Sequence, residues 1–136
     1  MKNVLVIDDE PLIRDLLRLA LEEHGFNVME APDGREGLRT FIDRRPPLVI
    51  TDIIMPNMDG LEVVVALKKV DPRVRVLAIS GGGRVVKRDY LATALELGAD
   101  DVLWKPFDEA HLIEAVTGLV DRGAAPPRPA PLAWRA

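Results

Sequence analysis

Five short apolar runs alternating with five helical patterns predict an α/β fold, a doubly wound five-stranded parallel sheet with five helices on both faces. Two observations carry this prediction. The apolar runs are continuous and rich in β-branched residues, as in strands covered on both faces. Each run is followed by a segment of helical length, so neighbouring strands are joined by right-handed crossovers. At 136 residues the chain makes one ordinary domain, and its 48% apolar content suffices for a core.

The elements come in order. Val4-Leu5-Val6-Ile7 is the first strand. Leu12, Leu16, Leu19 and Ala20 repeat at i, i+4, i+7 and i+8, the apolar stripe of a first helix that Gly25 stops. Phe26-Asn27-Val28-Met29 is a weaker second strand, and Arg35 to Arg44 a second helix ended by Pro46-Pro47. Leu48-Val49-Ile50 is the third strand, with a helix from Leu61 to Val70 that ends at Asp71-Pro72. Val74 through Ile79 is the fourth strand, and Tyr90 to Leu97 a helix closed at Gly98. Val102-Leu103-Trp104 and a helix from Asp108 to Val120 complete the series. Residues 1–121 are the expected domain. Residues 122–136 carry four Pro, three Arg and no acid, the composition of a disordered or polyproline-like tail.

Composition removes several function classes. The net charge is −4, and without the three tail arginines the body has 15 basic against 22 acidic residues, a net −7. That balance argues against direct nucleic-acid binding or attachment to an anionic membrane. The absence of Cys excludes disulfides, thiolate metal sites and cysteine nucleophiles, and two His (His24 and His111) are too few for a His-rich metal centre. No apolar run approaches the ~20 residues of a membrane span. The N-terminus is no signal peptide. A cytoplasmic protein without membrane insertion is expected.

In doubly wound sheets function gathers at the carboxyl ends of the strands. Here the first strand ends in Asp8-Asp9, the third in Thr51-Asp52, the fourth in Ser80 and the fifth in Lys105-Pro106. Three carboxylates, a hydroxyl and an ammonium are thus delivered to one edge. Clustered carboxylates repel, and Mg²⁺ relieves the repulsion through oxygen ligands while favouring a phosphoryl oxygen as a further ligand. A carboxylate in such a site can be a nucleophile towards phosphorus, with Lys105 and Ser80 compensating the charge that arrives. The chemistry implied is phosphoryl transfer to an Asp.

The residues that carry these features resemble the receiver domains of two-component response regulators, the CheY-like fold. The resemblance runs from about Lys2 to Val120, through Val6-Ile7-Asp8-Asp9-Glu10, the stretch from Thr51-Asp52 to Asp59-Gly60, Ala78-Ile79-Ser80, and Gly98-Ala99-Asp100-Asp101 leading to Lys105-Pro106-Phe107. It implies the strand order 2-1-3-4-5 and a phosphoryl group accepted on Asp52 from a histidine kinase or histidine phosphotransfer protein. It implies Mg²⁺ held by Asp9 and Asp52, by Asp8 through water and by the backbone carbonyl of Ile54. Ser80 would follow the phosphoryl group, Lys105 would pair with it, and the Lys105–Pro106 bond would be cis. Met55-Pro56 to Gly60 would form the loop before the third helix.

Other features divide between function and packing. Gly81-Gly82-Gly83 follow Ser80 as a pliable connection; no phosphate-loop pattern contains them. His24 and His111 read as surface helix residues. Arg84, Lys87 and Arg88 form a basic patch that is either a solvated face or a docking site. Where receivers usually carry an aromatic residue three positions before the Lys, this chain has Val102, which puts the usual aromatic readout in doubt. Trp104 shares the strand parity of Val102 and is expected either as an exposed partner anchor or packed beneath the fourth helix.

Two other classes fit less well. A Mg²⁺-dependent phosphatase with an aspartyl nucleophile would place D-x-D on the first strand, which this chain does not. A flavodoxin-like nucleotide-binding module would need a Gly, Ser and Thr-rich loop there. The receiver reading therefore leads: a module that is not an enzyme and signals to a downstream protein target, since 15 residues beyond it hold no effector.

Overall fold

A computed structural model describes residues 2–55, 58–80 and 87–121, the side chains of 87–91 left aside. Expectations that fall elsewhere lie outside the described residues: the Pro56-Asn57 turn, Gly81 to Gly83, the Arg84, Lys87 and Arg88 patch, and the segment 122–136.

The order is β1 (Lys2–Ile7), α1 (Pro11–Glu23), β2 (Phe26–Ala31), α2 (Gly34–Arg44), β3 (Leu48–Asp52), α3 (Gly60–Val70), β4 (Arg75–Ser80), α4 (Lys87–Leu97), β5 (Asp101–Trp104) and α5 (Glu109–Asp121). The five strands form one parallel sheet ordered β2-β1-β3-β4-β5, so the fold is the doubly wound one expected. The order reverses beside β1, and right-handed crossovers therefore place helices on both faces. No helix among the described residues is long and apolar enough to cross a membrane.

Alternation along each strand divides the core in two. On one face Leu5, Ile7, Val49, Val76 and Ala78 meet Phe41 of α2, Val63 and Leu67 of α3 and Ala94 of α4. On the other, Val4, Val6, Ile50, Leu77 and Ile79 meet Leu17 and Leu21 of α1 and Leu112, Val116 and Leu119 of α5. Double-sided burial is why these strands are apolar throughout.

Helix boundaries follow local chemistry. Asp33 and Asp59 cap α2 and α3, each side chain accepting a hydrogen bond from the backbone N–H of a Glu three residues on, at 2.9 Å in both cases. Gly25 takes φ +87° just past α1, a left-handed conformation in which a side chain would be strained.

The stripe expected on α1 is corrected. Leu12, Leu16 and Leu19 face outward, 70%, 57% and 52% exposed, and only Ala20 of that set is buried. The buried stripe is Leu17, Ala20 and Leu21 with Ile13 packed against it, the same spacing one residue later. A helix this rich in leucine offers two overlapping phases, and periodicity does not choose between them; the path from β1 to β2 does.

This assignment is testable. Leu17→Ala should cost about 3 kcal/mol of unfolding free energy in urea melts. Leu16→Ala should change it by less than about 0.5 kcal/mol. Equal costs would mean that the helix is rotated from the orientation described.

Candidate functional site

Register sets the site. Ile7 pairs with Thr51, and Thr51 with Ala78 across β3 and β4, so the strands end nearly level. Asp8 follows Ile7 and Asp52 follows Thr51, which brings both carboxylates to the same edge although they are 44 positions apart in sequence. Ser80 pairs with Trp104, and the backbone N–H of Lys105 donates to Ser80 O at 2.8 Å. The Lys105–Pro106 peptide is cis.

Lys105 ties the edge together. Its Nζ lies 3.2 Å from Asp8 Oδ2 and 3.3 Å from Asp52 Oδ2, with Glu10 Oε1 at 3.9 Å. Both aspartates are buried, and Glu10 is exposed. Three carboxylates thus share one ammonium. Asp8 is held by further bonds: its Oδ1 accepts the Glu10 N–H at 2.9 Å, and its carbonyl accepts from Arg14 Nη1 at 2.7 Å.

The charges of this edge are unequally sustained. Burial pushes the Asp52 carboxyl up to about 6, with the Asp8 carboxylate adding to it, while Lys105 pulls the other way and loses. Burial also works against the charge on Lys105, yet Asp52 and Asp8 outweigh it and the ammonium is held above its ordinary value. The site therefore contains a lasting cation and a carboxylate that a second cation would favour.

Among the described residues, oxygens of Asp8, Glu10 and Asp52 lie within 4.8 Å of one another, a hard-oxygen set that suits a divalent ion such as Mg²⁺. Asp9, half-buried, lies outside that group. The chain bends at Asp9 just past β1, and the Glu10 N–H closes that bend onto Asp8 Oδ1, which keeps Asp8 and Glu10 together. The sequence names Asp9 as a ligand by resemblance and Glu10 only as part of the Asp8-Asp9-Glu10 run; the structure adds Glu10 to the grouping by position. The Ile54 N–H faces Asp52 Oδ1 at 3.4 Å.

Ser80 is fully buried, and its Oγ has no hydrogen-bond partner among the described residues. A buried hydroxyl left without a partner costs about 1–3 kcal/mol, so this one is poised to bond an incoming acceptor. Gly60 packs α3 onto the end of β3: a Cβ there would lie 2.2 Å from Asp52 O and 2.5 Å from the Ile53 Cα. Only Gly allows that approach.

The remaining expectations separate cleanly. Val102 is half-buried against the core face of α2, α3 and α4, and Trp104 is 38% exposed at the outer edge strand. His24 Nδ1 contacts Ala20 O, and His111 Nδ1 contacts Asp108 Oδ1, so both are local helix-end contacts. Asp100, quoted among the motif residues, sits at the opposite end of the sheet. There it accepts from the Val76 N–H at 2.8 Å, Lys68 Nζ at 2.9 Å and Arg75 Nη1 at 3.3 Å.

These features define a class: a doubly wound α/β domain with a buried carboxylate pair and one lysine at its carboxyl edge. The chain matches the response regulator receiver domain family over residues 4–117 and belongs to that family. It is 41% identical over 120 residues to the transcriptional regulatory protein PrrA of Mycobacterium tuberculosis, covering 88% of this chain and 50% of that one. It is 35% identical over 133 residues to TrcR of the same organism, covering 98% of this chain and 51% of that one. The chain thus spans about half the length of the curated relatives it matches. Among solved structures, a receiver domain protein from Clostridium thermocellum superposes with a TM-score of 0.83 at 32% identity, covering 90% and 96% of the two chains. Chemotaxis protein CheY4 of Vibrio cholerae gives 0.78 at 28%, covering 88% and 98%. Receivers are signal-transduction modules of two-component systems rather than enzymes, and they interact with histidine kinases.

The raised Asp52 value has a consequence for stability. Its folded value exceeds the ordinary ~3.9, so the carboxyl's stabilising contribution is complete below pH ~4 and is lost as pH rises through about 6. With divalent cations chelated, Asp52→Asn should therefore stabilise the fold by up to about 3 kcal/mol above pH ~7 and have little effect below pH ~4. Urea melts across that range check it. A carboxyl resonance of Asp52 titrating near the ordinary ~3.9 would contradict the premise.

Proposed function

We propose that residues 1–121 are the phosphoacceptor of a two-component system or phosphorelay, taking a phosphoryl group onto Asp52 from a histidine kinase or histidine phosphotransfer protein. The observation that carries this is the buried Asp52 carboxylate, 3.3 Å from Lys105 and grouped with the oxygens of Asp8 and Glu10.

The chemistry balances simply. An Asp52 oxygen forms a bond to phosphorus as the bond from phosphorus to the donor's imidazole nitrogen breaks, leaving an acyl phosphate and a neutral histidine. Lys105 stabilises the negative oxygens that arrive, and Ser80 offers its buried hydroxyl to one of them. Mg²⁺, when bound, offsets the charge of the carboxylates and of the phosphoryl oxygens. Asp9, Asp52 and the Ile54 carbonyl are the ligands that the family likeness implies, with Asp8 acting through water. The grouping at this edge adds Glu10 as a nearby oxygen donor. The output reading is a population shift: contacts from the phosphoryl group to Ser80 and Lys105 favour one arrangement of the segment after β4, which a downstream protein target recognises. With Val102 at the position of the usual aromatic, that segment and not a swinging ring carries the change.

The test is direct. Acetyl phosphate with Mg²⁺ should add one base-labile phosphoryl group, detected by intact mass, and a chelator or Asp52→Asn should abolish it. Beryllofluoride, a phosphoryl mimic, should shift amide resonances of residues 81–97 far more than those of α2. Steady hydrolysis of phosphate esters without a labelled protein would sink the reading.

A further inference from the structure

Arg14 holds the chain where β1 passes into α1. Its Nη1 donates to the backbone carbonyl of Asp8 at 2.7 Å, and its own backbone N–H donates to the carbonyl of Glu10 at 3.1 Å. The bend at Asp9 lies between those two anchors. On the far side, the Asp8 N–H donates to Ala31 O of β2 at 3.2 Å. One arginine near the start of α1 thus brackets all three acidic residues that follow β1.

Side-chain capping does not fix this bend. Asp33 and Asp59 cap α2 and α3, whereas the Glu10 side chain makes no capping bond to α1. The Glu10 carboxylate turns instead to the strand edge, where it groups with Asp8 and Asp52. A helix entry without a side-chain cap has to be held by other partners. Arg14 supplies that hold, and it is itself held. Its Nε lies 3.5 Å from Glu30 Oε1 on β2, and Arg18, one turn further along α1, reaches Glu30 Oε2 at 3.2 Å. The planar guanidinium meets the Asp8 carbonyl with one nitrogen and the Glu30 carboxylate with another, a geometry that the single nitrogen of lysine does not reproduce.

We propose that Arg14 is a positioning residue of the phosphoacceptor edge: through the Asp8 carbonyl it fixes the Asp8-Asp9-Glu10 bend in the arrangement that receives a divalent cation. The role rests on the reading of this edge as a Mg²⁺ and phosphoryl site. Charge and position act in opposite directions here, so the two are separable. A guanidinium beside Asp8 repels a second cation. If charge were its whole contribution, a neutral replacement would tighten Mg²⁺ binding. For a positioning residue the same replacement weakens it, because carboxylates released from the bend no longer converge on the ion.

The experiment titrates Mg²⁺ alone into the full chain and follows the amide resonances of residues 8–10 and 52–54. Arg14→Gln should weaken Mg²⁺ binding about tenfold. Before Mg²⁺ is added, the Glu10 amide of that variant should already exchange with solvent several-fold faster than in the parent. Arg14→Lys, which keeps the charge, should fall between the two. Arg18→Gln removes an equal charge from the same helix without touching Asp8, and should stay within about twofold of the parent. Thermal melts check that each variant is folded; if Arg14→Gln is not, Arg14→Lys decides, and its affinity must lie below the parent's. Unchanged or tighter binding in Arg14→Gln overturns the proposal and leaves the phosphoacceptor reading standing. A loss of the same size in Arg18→Gln does likewise, since the effect would then belong to α1 as a whole. A parent chain that binds no Mg²⁺ overturns both readings together.

Discussion

Lys105 between Asp8 and Asp52 is the interaction on which this edge of the molecule depends. Two carboxylates and an ammonium are held at the ends of three different strands, where water is largely excluded and an unpaired charge is costly. Among the described residues, one ammonium for three nearby carboxylates leaves the edge negative. Burial, with the Asp8 carboxylate adding to it against the pull of Lys105, is why Asp52 holds its proton to about 6. The same deficit makes the edge receptive to a further cation and to chemistry that places charge beside Lys105.

The sheet makes such an arrangement possible. Parallel pairing in level register turns residues far apart in sequence into neighbours. Gly60 then lets α3 close directly on the backbone of Asp52, fixing the acceptor strand's end. At the opposite end, Asp100 gathers Lys68, Arg75 and the Val76 N–H into a buried cluster that anchors the start of β4. Here, among the described residues, two cations meet one carboxylate, whereas at the other end one ammonium faces three. A buried carboxylate so fully compensated holds a structure in place. An under-compensated edge, with Ser80 Oγ unpartnered among the described residues, is where an incoming group gains most.

The two faces of the sheet are also unlike. The face of α2, α3 and α4 is closed by large residues such as Phe41 and Leu67. The face of α1 and α5 retains a groove beside Pro106 and Phe107 and a leucine stripe above it. That asymmetry comes from having two helices cover one face and three the other.

By itself the sequence determined the alternation of strands and helices, their order and the membership of the site's edge. Continuous apolar runs have no other economical explanation, and Asp8, Asp52, Ser80 and Lys105 each stand just past such a run. It did not determine which stripe of α1 is buried. Leu12, Leu16 and Leu19 have the same spacing as Ile13, Leu17 and Ala20, and only packing against Val4, Val6 and α5 distinguishes the two. Nor did it show that Glu10 comes within reach of Asp8 and Asp52, or that Asp52 is held near 6. Those depend on side-chain direction at a chain turn and on depth from water, quantities set by what packs around a residue and not by its neighbours in sequence.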